Sequence, residues 1–390
     1  MLKAVSSVGS ILNFAENKEG LDSLIKLRKT TDFYCPSCNG SVVMRLGQKK
    51  VWHFAHRAHA PCVDPWEVES SYHLSGKEQL YRWLRNEHAD VEVETYLPEP
   101  RKRPDLFLKS RNLAIEYQCS SIEEALLQHR SDSYYQSGLD VWWILGKSRL
   151  RSKYRFIHSV SSMEWAAVKM INHTPILFYY CPFEKLFSLV VPQYSLTPTK
   201  IVCTSQIISL ETTSITSLFQ PHVTTLSHSH INWIWLKQKR IWRMNPHGEK
   251  SYAYFYMRKL LYKKGGTLRL FPSEAGIPSS SNYWIETPAY LWQSWISLVF
   301  LQNLRPKSTF TLHHLSNSFK ELISRGIIKV RTQSFEEGIE LSLRGYLSQL
   351  ITLSVLKKRG DRYEKIHQPA MHHSVEIALK SDERVLSNLS

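Results

Sequence analysis

RKRPDLFLKSRNLAIEYQ, residues 101–118, sets a Pro-Asp pair just before two short apolar runs and closes on Glu-Tyr-Gln. The runs at 105–108 and 113–118 read as strands joined by a turn-like Lys-Ser-Arg-Asn link. Alternate residues of a strand share a face, so Glu116 and Gln118 lie together while Ile115 and Tyr117 face the other way. An acid and an amide on an otherwise apolar strand are costly unless they are paired or bind something. Asp105, entering the neighbouring strand after Pro104, is placed to approach Glu116. Two such carboxylates can hold a divalent metal, and Glu78 is a further candidate ligand or catalytic group. That is the minimum equipment for cutting a phosphodiester.

The flanks supply the order in which these runs belong. Leu80, Tyr81, Trp83 and Leu84 recur at helical spacing in residues 77–88, and residues 91–97 alternate as a strand. Ser121 is placed to cap a helix over 122–137 with Glu123 and Glu124 in its first turn, Gly138 to stop it, and VWWIL at 141–145 to form a buried strand. Helix, three strands, helix, strand describes an α/β core.

The 390 residues suggest two or three domains: 1–66 as a small Cys/His-rich module, 67–160 as the α/β core and 161–390 as a basic, mostly helical domain. Residues 289–304 and 318–326 read as helical, 357–362 (KKRGDR) as a basic turn, and the tail after Ala370 as loosely ordered. The chain shows neither a run of about 18 apolar residues nor a signal-peptide pattern, so a cytoplasmic protein without membrane contact is expected.

Cys35-x-x-Cys38, His53-x-x-His56 and Cys62 offer five metal ligands within a segment too small to hold itself by apolar burial. Four of these five are expected to hold a structural Zn²⁺, with Cys35, Cys38, His56 and Cys62 favoured and His53 as the replacement or outer partner; His59 ranks last.

As a set, these motifs have a known counterpart. The carboxylate arrangement resembles the PD-(D/E)xK nuclease superfamily. CPSC, WHFAH, HLSGKEQLYRWL, RKRPDL, AIEYQCSSI and VWWILG, in this order, resemble the competence protein CoiA family. The resemblance covers residues 30–150 and implies that Asp105 and Glu116 ligate Mg²⁺ or Mn²⁺. It also implies that Gln118 stands where the superfamily usually has Lys. A neutral Gln can orient a water but cannot stabilise charge developing on phosphorus, so Lys77, Lys102 or Arg130 would supply the cation. The implied activity is metal-dependent DNA cleavage during natural transformation and homologous recombination. The alternative is a DNA-binding accessory factor with weak or no cleavage, working with a recombinase. His73, and more weakly Tyr134 or Tyr135, are candidate phosphate contacts.

The net charge of +16 suits a polyanionic partner, and residues 170–390 carry 26 Lys+Arg against 14 Asp+Glu. Between Lys237 and Arg269 ten cations meet a single acid and interleave with aromatic residues. Lys237, Lys239, Arg240, Trp242, Arg243, Arg258, Lys259, Lys263 and Lys264, with His73, Lys77 and Arg130 nearer the acids, are the expected contacts to single-stranded or branched DNA. Trp233 and Trp235 read as core.

Overall fold

A computed structural model describes residues 1–48, 51–57, 69–88, 90–222, 224–245, 250–263, 265–305, 307–331 and 335–389. The chain divides into two compact units. Met1–Arg151, Ser161–Val191 and Ser205–His222 form the first, and Ser152–Val160, Pro192–Thr204 and Val223–Ser390 form the second.

The first unit opens with an antiparallel sheet of strands β1 (Lys3–Ser6), β2 (Ile11–Asn13), β3 (Phe33–Tyr34), β4 (Ser41–Arg45) and β5 (His53–His56), ordered β2-β1-β3-β4-β5. Helix α1 (Leu21–Thr30) presents Leu24 to it. Val42 and Met44 alternate inward along β4, as a half-buried strand requires. These residues do not form a core of their own. Leu2, Phe14, Leu24 and Phe54 belong to the same apolar cluster as Leu74, Leu80, Ile115 and Tyr117 of the α/β core, so the segment shares the burial of its neighbour.

Helix α2 (Ser71–Glu87) starts six residues before the expected point because Ser70 caps it, its hydroxyl accepting from the His73 amide at 3.1 Å. Gly76, which reads as a break before the helix, lies inside it. A Cβ at Gly76 would sit 2.1 Å from the Tyr117 ring, so the missing side chain lets helix and sheet approach. Strand β6 (Val91–Val93) is shorter than expected because Glu94 adopts φ +46°.

Strands β7 (Leu106–Leu108) and β8 (Leu113–Gln118) pair antiparallel with Leu106 opposite Ile115. Helix α3 (Glu124–Gln136) then returns the chain to β9 (Asp140–Gly146), which runs parallel to β8 with Glu116 opposite Trp143. The α3 N-cap is Glu123 without a side-chain bond, so Ser121 is not the cap; Gly138, at φ +72°, does follow the helix end. Thr174–Cys181 adds a parallel strand beside β9, and residues 186–190 pair antiparallel with it. The sheet therefore continues well past the boundary expected at residue 160. FYYC and FSLVV are apolar on both faces, like VWWIL, and no motif marks them as part of the same sheet.

The second unit is built around the helix His228–Met244 and a buried segment from Ala289 to Phe300, with Trp235, Trp292, Tyr290 and Tyr346 enclosed. It also contains an antiparallel sheet of Thr309–Thr311, Arg362–Lys365 and Leu356–Arg359, the last two joined through the expected basic turn at Gly360. The tail is not loose: Val375–Ser387 is a helix capped by Ser374, and its Asp382 is buried. Arg243 reaches Asp382 twice, through Nε at 2.6 Å and Nη2 at 2.8 Å, and Lys239 Nζ lies 3.0 Å away. Burial pulls the Lys239 pKa down to about 8 against the opposing charge of Asp382.

Asp382→Ala leaves two buried cations without their carboxylate and is expected to destabilise the second unit by about 3–5 kcal/mol. Urea denaturation together with hydrogen exchange in Val375–Ser387 checks this. Unchanged protection in that helix would contradict the role assigned to the network.

Candidate functional site

Extending the β7–β8 register by one residue sets Asp105 opposite Glu116. Asp105 Oδ2 accepts from the Tyr117 amide at 2.9 Å and lies 3.3 Å from His73 Nε2. Its Oδ1 lies 3.3 Å from Lys77 Nζ. The His73 ring stacks on Tyr117 with centroids 5.6 Å apart. Glu69, just ahead of the α2 cap, adds a second acid: it pairs with Lys77 and with the Met1 amine, and its Oε1 is 3.5 Å from His73 Nδ1. One ligand atom from each of Glu69, His73 and Asp105 falls within 4.8 Å of the others, a spacing suited to one cation.

Lys77 is fully buried among Glu69, Glu94 and Asp105. Burial would neutralise the ammonium, but the three carboxylates outweigh it and keep it charged. Burial would likewise raise the carboxyls of Glu69, Glu94 and Asp105, yet Lys77 holds all three below the usual range. Glu94 Oε1 is 2.5 Å from Lys77, while its Oε2 accepts from the Leu2 and Lys3 amides at 2.8 and 3.1 Å. Lys77 therefore cannot contact DNA as expected; it has no exposed surface.

Glu116 has a different environment. Burial raises its carboxyl above the ordinary range, although Arg130 Nη2 at 2.7 Å opposes the shift and Tyr134 donates to the same oxygen at 2.6 Å. Arg130 is still 28% exposed and lies over the Trp143 ring, 5.1 Å from its centroid. Tyr134 is buried on Glu116 and so has no surface for a phosphate, whereas Tyr135 is exposed. Gln118 Nε2 donates to Ser120 Oγ at 2.8 Å and to the Ser120 carbonyl at 3.2 Å. Glu78 does not join the acids: it pairs with Arg82 one helical turn on, at 2.7 Å.

Sequence reasoning missed Glu69 and Glu94. Glu69, His73 and Lys77 are spaced four apart, a signal visible only if the helix is begun at Ser70 rather than after Gly76. Glu94 carried no comparable signal, because its inward turn depends on the positive φ.

Cys35, Cys38 and His56 also converge, with ligand atoms within 4.8 Å and Cys38 Sγ 3.3 Å from His56 Nε2. The Ser37 and Gly40 amides point at the two sulfurs, each at 3.4 Å. Arg103 Nη1 is 4.0 Å from Cys35 Sγ, linking this knuckle to the RKRPDL segment. His53 falls on the opposite face of β5 from His56, with Nδ1 2.8 Å from the Val51 carbonyl oxygen, and is not in the group. Cys62 and His59 lie outside the described residues.

The basic stretch of the second unit separates into two sets. Lys239 and Arg243 are fully enclosed and Trp242 is buried, so these three cannot be the expected DNA contacts. Lys237, Arg240, Arg258, Lys259 and Lys263 are exposed, and Lys264 lies outside the described residues. Trp235 is core, bonded to the Gly276 carbonyl at 2.7 Å, but Trp233 is exposed, contrary to expectation. Among the described residues no helix is long and apolar enough to cross a membrane.

Three models of one family match the chain in series: the competence protein CoiA N-terminal domain at residues 17–63, its nuclease-like domain at 69–223 and its C-terminal domain at 231–379. The chain belongs to the competence protein CoiA family. A relative named competence protein CoiA, from Bacillus subtilis (strain 168), is 28% identical over 365 residues, covering 91% of this chain and 95% of its own length. No solved structure matches. The nuclease-like match spans both acid sites and the strands beyond residue 160, and it fits the superfamily resemblance of the Pro-Asp and Glu-x-Gln motifs.

Lys77→Met removes the charge shared by three carboxylates and is expected to destabilise the first unit by about 3–5 kcal/mol at pH 7. The pH dependence should also reverse. In the unchanged protein, carboxyls held below their ordinary range contribute stability that is lost as pH falls through those lowered values. Without Lys77, burial raises the same carboxyls, so the variant should gain stability between about pH 7 and 5 as they protonate. Thermal denaturation across that range distinguishes this from simple loss of packing, which would shift stability equally at each pH.

Proposed function

We propose that this CoiA-family protein is a metal-dependent DNA nuclease that processes DNA intermediates in natural transformation and homologous recombination. The observation that carries this reading is Asp105 opposite Glu116 at adjacent strand positions, with Glu69 and His73 converging on Asp105. The donor set fits a hard divalent ion: the carboxylate oxygens of partly exposed Glu69 and Asp105 suit Mg²⁺ or Mn²⁺, and the one imidazole favours Mn²⁺ of the two. Glu69, His73 and Asp105 would hold the metal, with Glu116 on the neighbouring strand as the further ligand that the motif implies; when bound, the metal supplies an activated water and neutralises charge on the leaving oxygen. Asp105, kept ionised by its neighbours, is ready as a ligand. Lys77 is enclosed, so it fixes the acids; Arg130, partly exposed above Glu116, is the cation able to face a phosphate in place of the lysine that Gln118 replaces. Gln118, turned to Ser120, would position water and not activate it.

One observation favours the second reading, a DNA-binding accessory factor with little cleavage and a recombinase as its partner. Each motif acid already has a bonded cation, Lys77 for Asp105 and Arg130 for Glu116. Such pairing can maintain the fold of a site that no longer turns over.

The protein is to be incubated with single-stranded, duplex, flap and branched DNA in Mg²⁺, Mn²⁺ or EDTA. Cleavage that needs the metal, and that Asp105→Ala and Glu116→Ala each reduce by roughly 100-fold or more, supports the nuclease. Cutting that survives both substitutions would sink the assignment to this site, and tight binding with no cutting by any form supports the accessory role.

We further propose that Cys35, Cys38 and His56 hold a structural Zn²⁺ with Cys62 as the fourth ligand, since the three described side chains converge and amides support both sulfurs. Elemental analysis of protein purified without chelators should give one zinc per chain, falling to near zero in Cys38→Ala. Well under one zinc in the unchanged protein argues against the site.

A further inference from the structure

The helix His228–Met244 has one face in the core, made by Ile231, Ile234, Trp235, Gln238, Lys239, Trp242 and Arg243. Its outer face carries His230, Trp233, Lys237, Arg240 and Met244, three or four residues apart. A tryptophan on the solvent side of a helix is unusual, and this one is 57% exposed. It has an aromatic companion from a different part of the same unit. Tyr154, also 57% exposed, comes from the short segment Ser152–Val160, and the Lys237 ammonium reaches both rings, 5.0 Å from the Tyr154 centroid and 5.4 Å from that of Trp233. The surface continues through the same segment: Arg155 lies over Phe156 at 5.2 Å, and Phe156 meets the edge of His230 at 5.1 Å. Ser227 Oγ holds His230 through Nδ1 at 2.6 Å.

We infer that Tyr154, Trp233 and Lys237, flanked by Arg155 and Arg240, form a platform that binds single-stranded DNA by stacking unpaired bases on the two rings and seating backbone phosphates on the cations. Charge complementarity favours this occupant. Residues 152–160 and 212–248 contain no Asp or Glu, and among the described residues no carboxylate pairs with Lys153, Arg155, Lys237 or Arg240. A cation within reach of two exposed rings puts charge and π-face close together, and a polynucleotide alternates phosphate and base in the same way. Duplex DNA offers the phosphates but keeps its base faces within the stack, so it should use only half of this surface. The platform lies outside the acidic site and goes beyond the nuclease reading. It rests on DNA as the partner but not on cleavage, so loss of cutting leaves it intact.

The test measures fluorescence anisotropy of a labelled mixed-sequence single strand and of the matching duplex, with divalent metal omitted so that binding is read without turnover. Trp233→Ala and Tyr154→Ala should each weaken single-strand binding by roughly 5- to 150-fold, and duplex binding should change much less. Trp233→Phe, which keeps a π-face, should retain most of the affinity. Lys237→Ala should lower the slope of log affinity against log salt by about one for both forms. The variants are at exposed positions, and unchanged melting temperatures confirm folding. The inference fails if the double variant Tyr154→Ala/Trp233→Ala binds the single strand within twofold of the unchanged protein, as it would if the patch docks a protein. Equal losses for single strand and duplex overturn it too, because stacking would then play no part.

Discussion

A single buried ammonium organises the first unit. Lys77 has no contact with water, and a lysine so placed is tolerated only because Glu69, Glu94 and Asp105 surround it. Each acid flanks a different element, Glu69 ahead of α2, Glu94 after β6 and Asp105 ahead of β7, so the requirement to neutralise one charge fixes their relative positions. Glu94 also anchors the first strand through the Leu2 and Lys3 amides, at the expense of a backbone conformation that non-glycine residues seldom adopt. Asp105 ties the same centre to the β7–β8 pair.

The two motif acids consequently sit in opposed electrostatic surroundings. Asp105 is pulled strongly toward the anion and Glu116 toward the neutral acid, although the register sets them opposite one another. The asymmetry arises because Lys77 approaches from the α2 side, while α3 brings Arg130 and Tyr134 to the face that holds Glu116. Environments that separate the properties of neighbouring carboxyls are a recurring way of giving them distinct tasks.

Where the amino-acid pattern was strong, it was sufficient to place the centre of the fold. VWWIL, the Gly138 stop and the alternation through Glu116 and Gln118 each have one economical interpretation, and the structure has β9, the end of α3 and β8 at those places. Gly76 was harder. Its meaning depends on the Tyr117 ring, a contact between residues forty-one apart in sequence, which local propensity cannot register. The basic stretch misled for a different reason. Lys239 and Arg243 share a helical stripe with Trp235 and Trp242, so the period of 3.6 assigns them to the interior, whereas counting charges assigns them to the surface. A carboxylate 139 residues beyond Arg243 is what makes that interior position tenable.

The shared core of the first unit bears on how such a protein can change over evolutionary time. Separate family models recognise the N-terminal and nuclease-like parts, as though they were interchangeable cassettes. The residues tell against independent inheritance: without the first sheet, Glu94 would lose two amide donors, Glu69 the Met1 amine, and the apolar face around Leu74 and Leu80 much of its cover. The two parts are therefore expected to be gained or lost together in descent, since a join between residues 57 and 69 would divide one charge cluster and one apolar core.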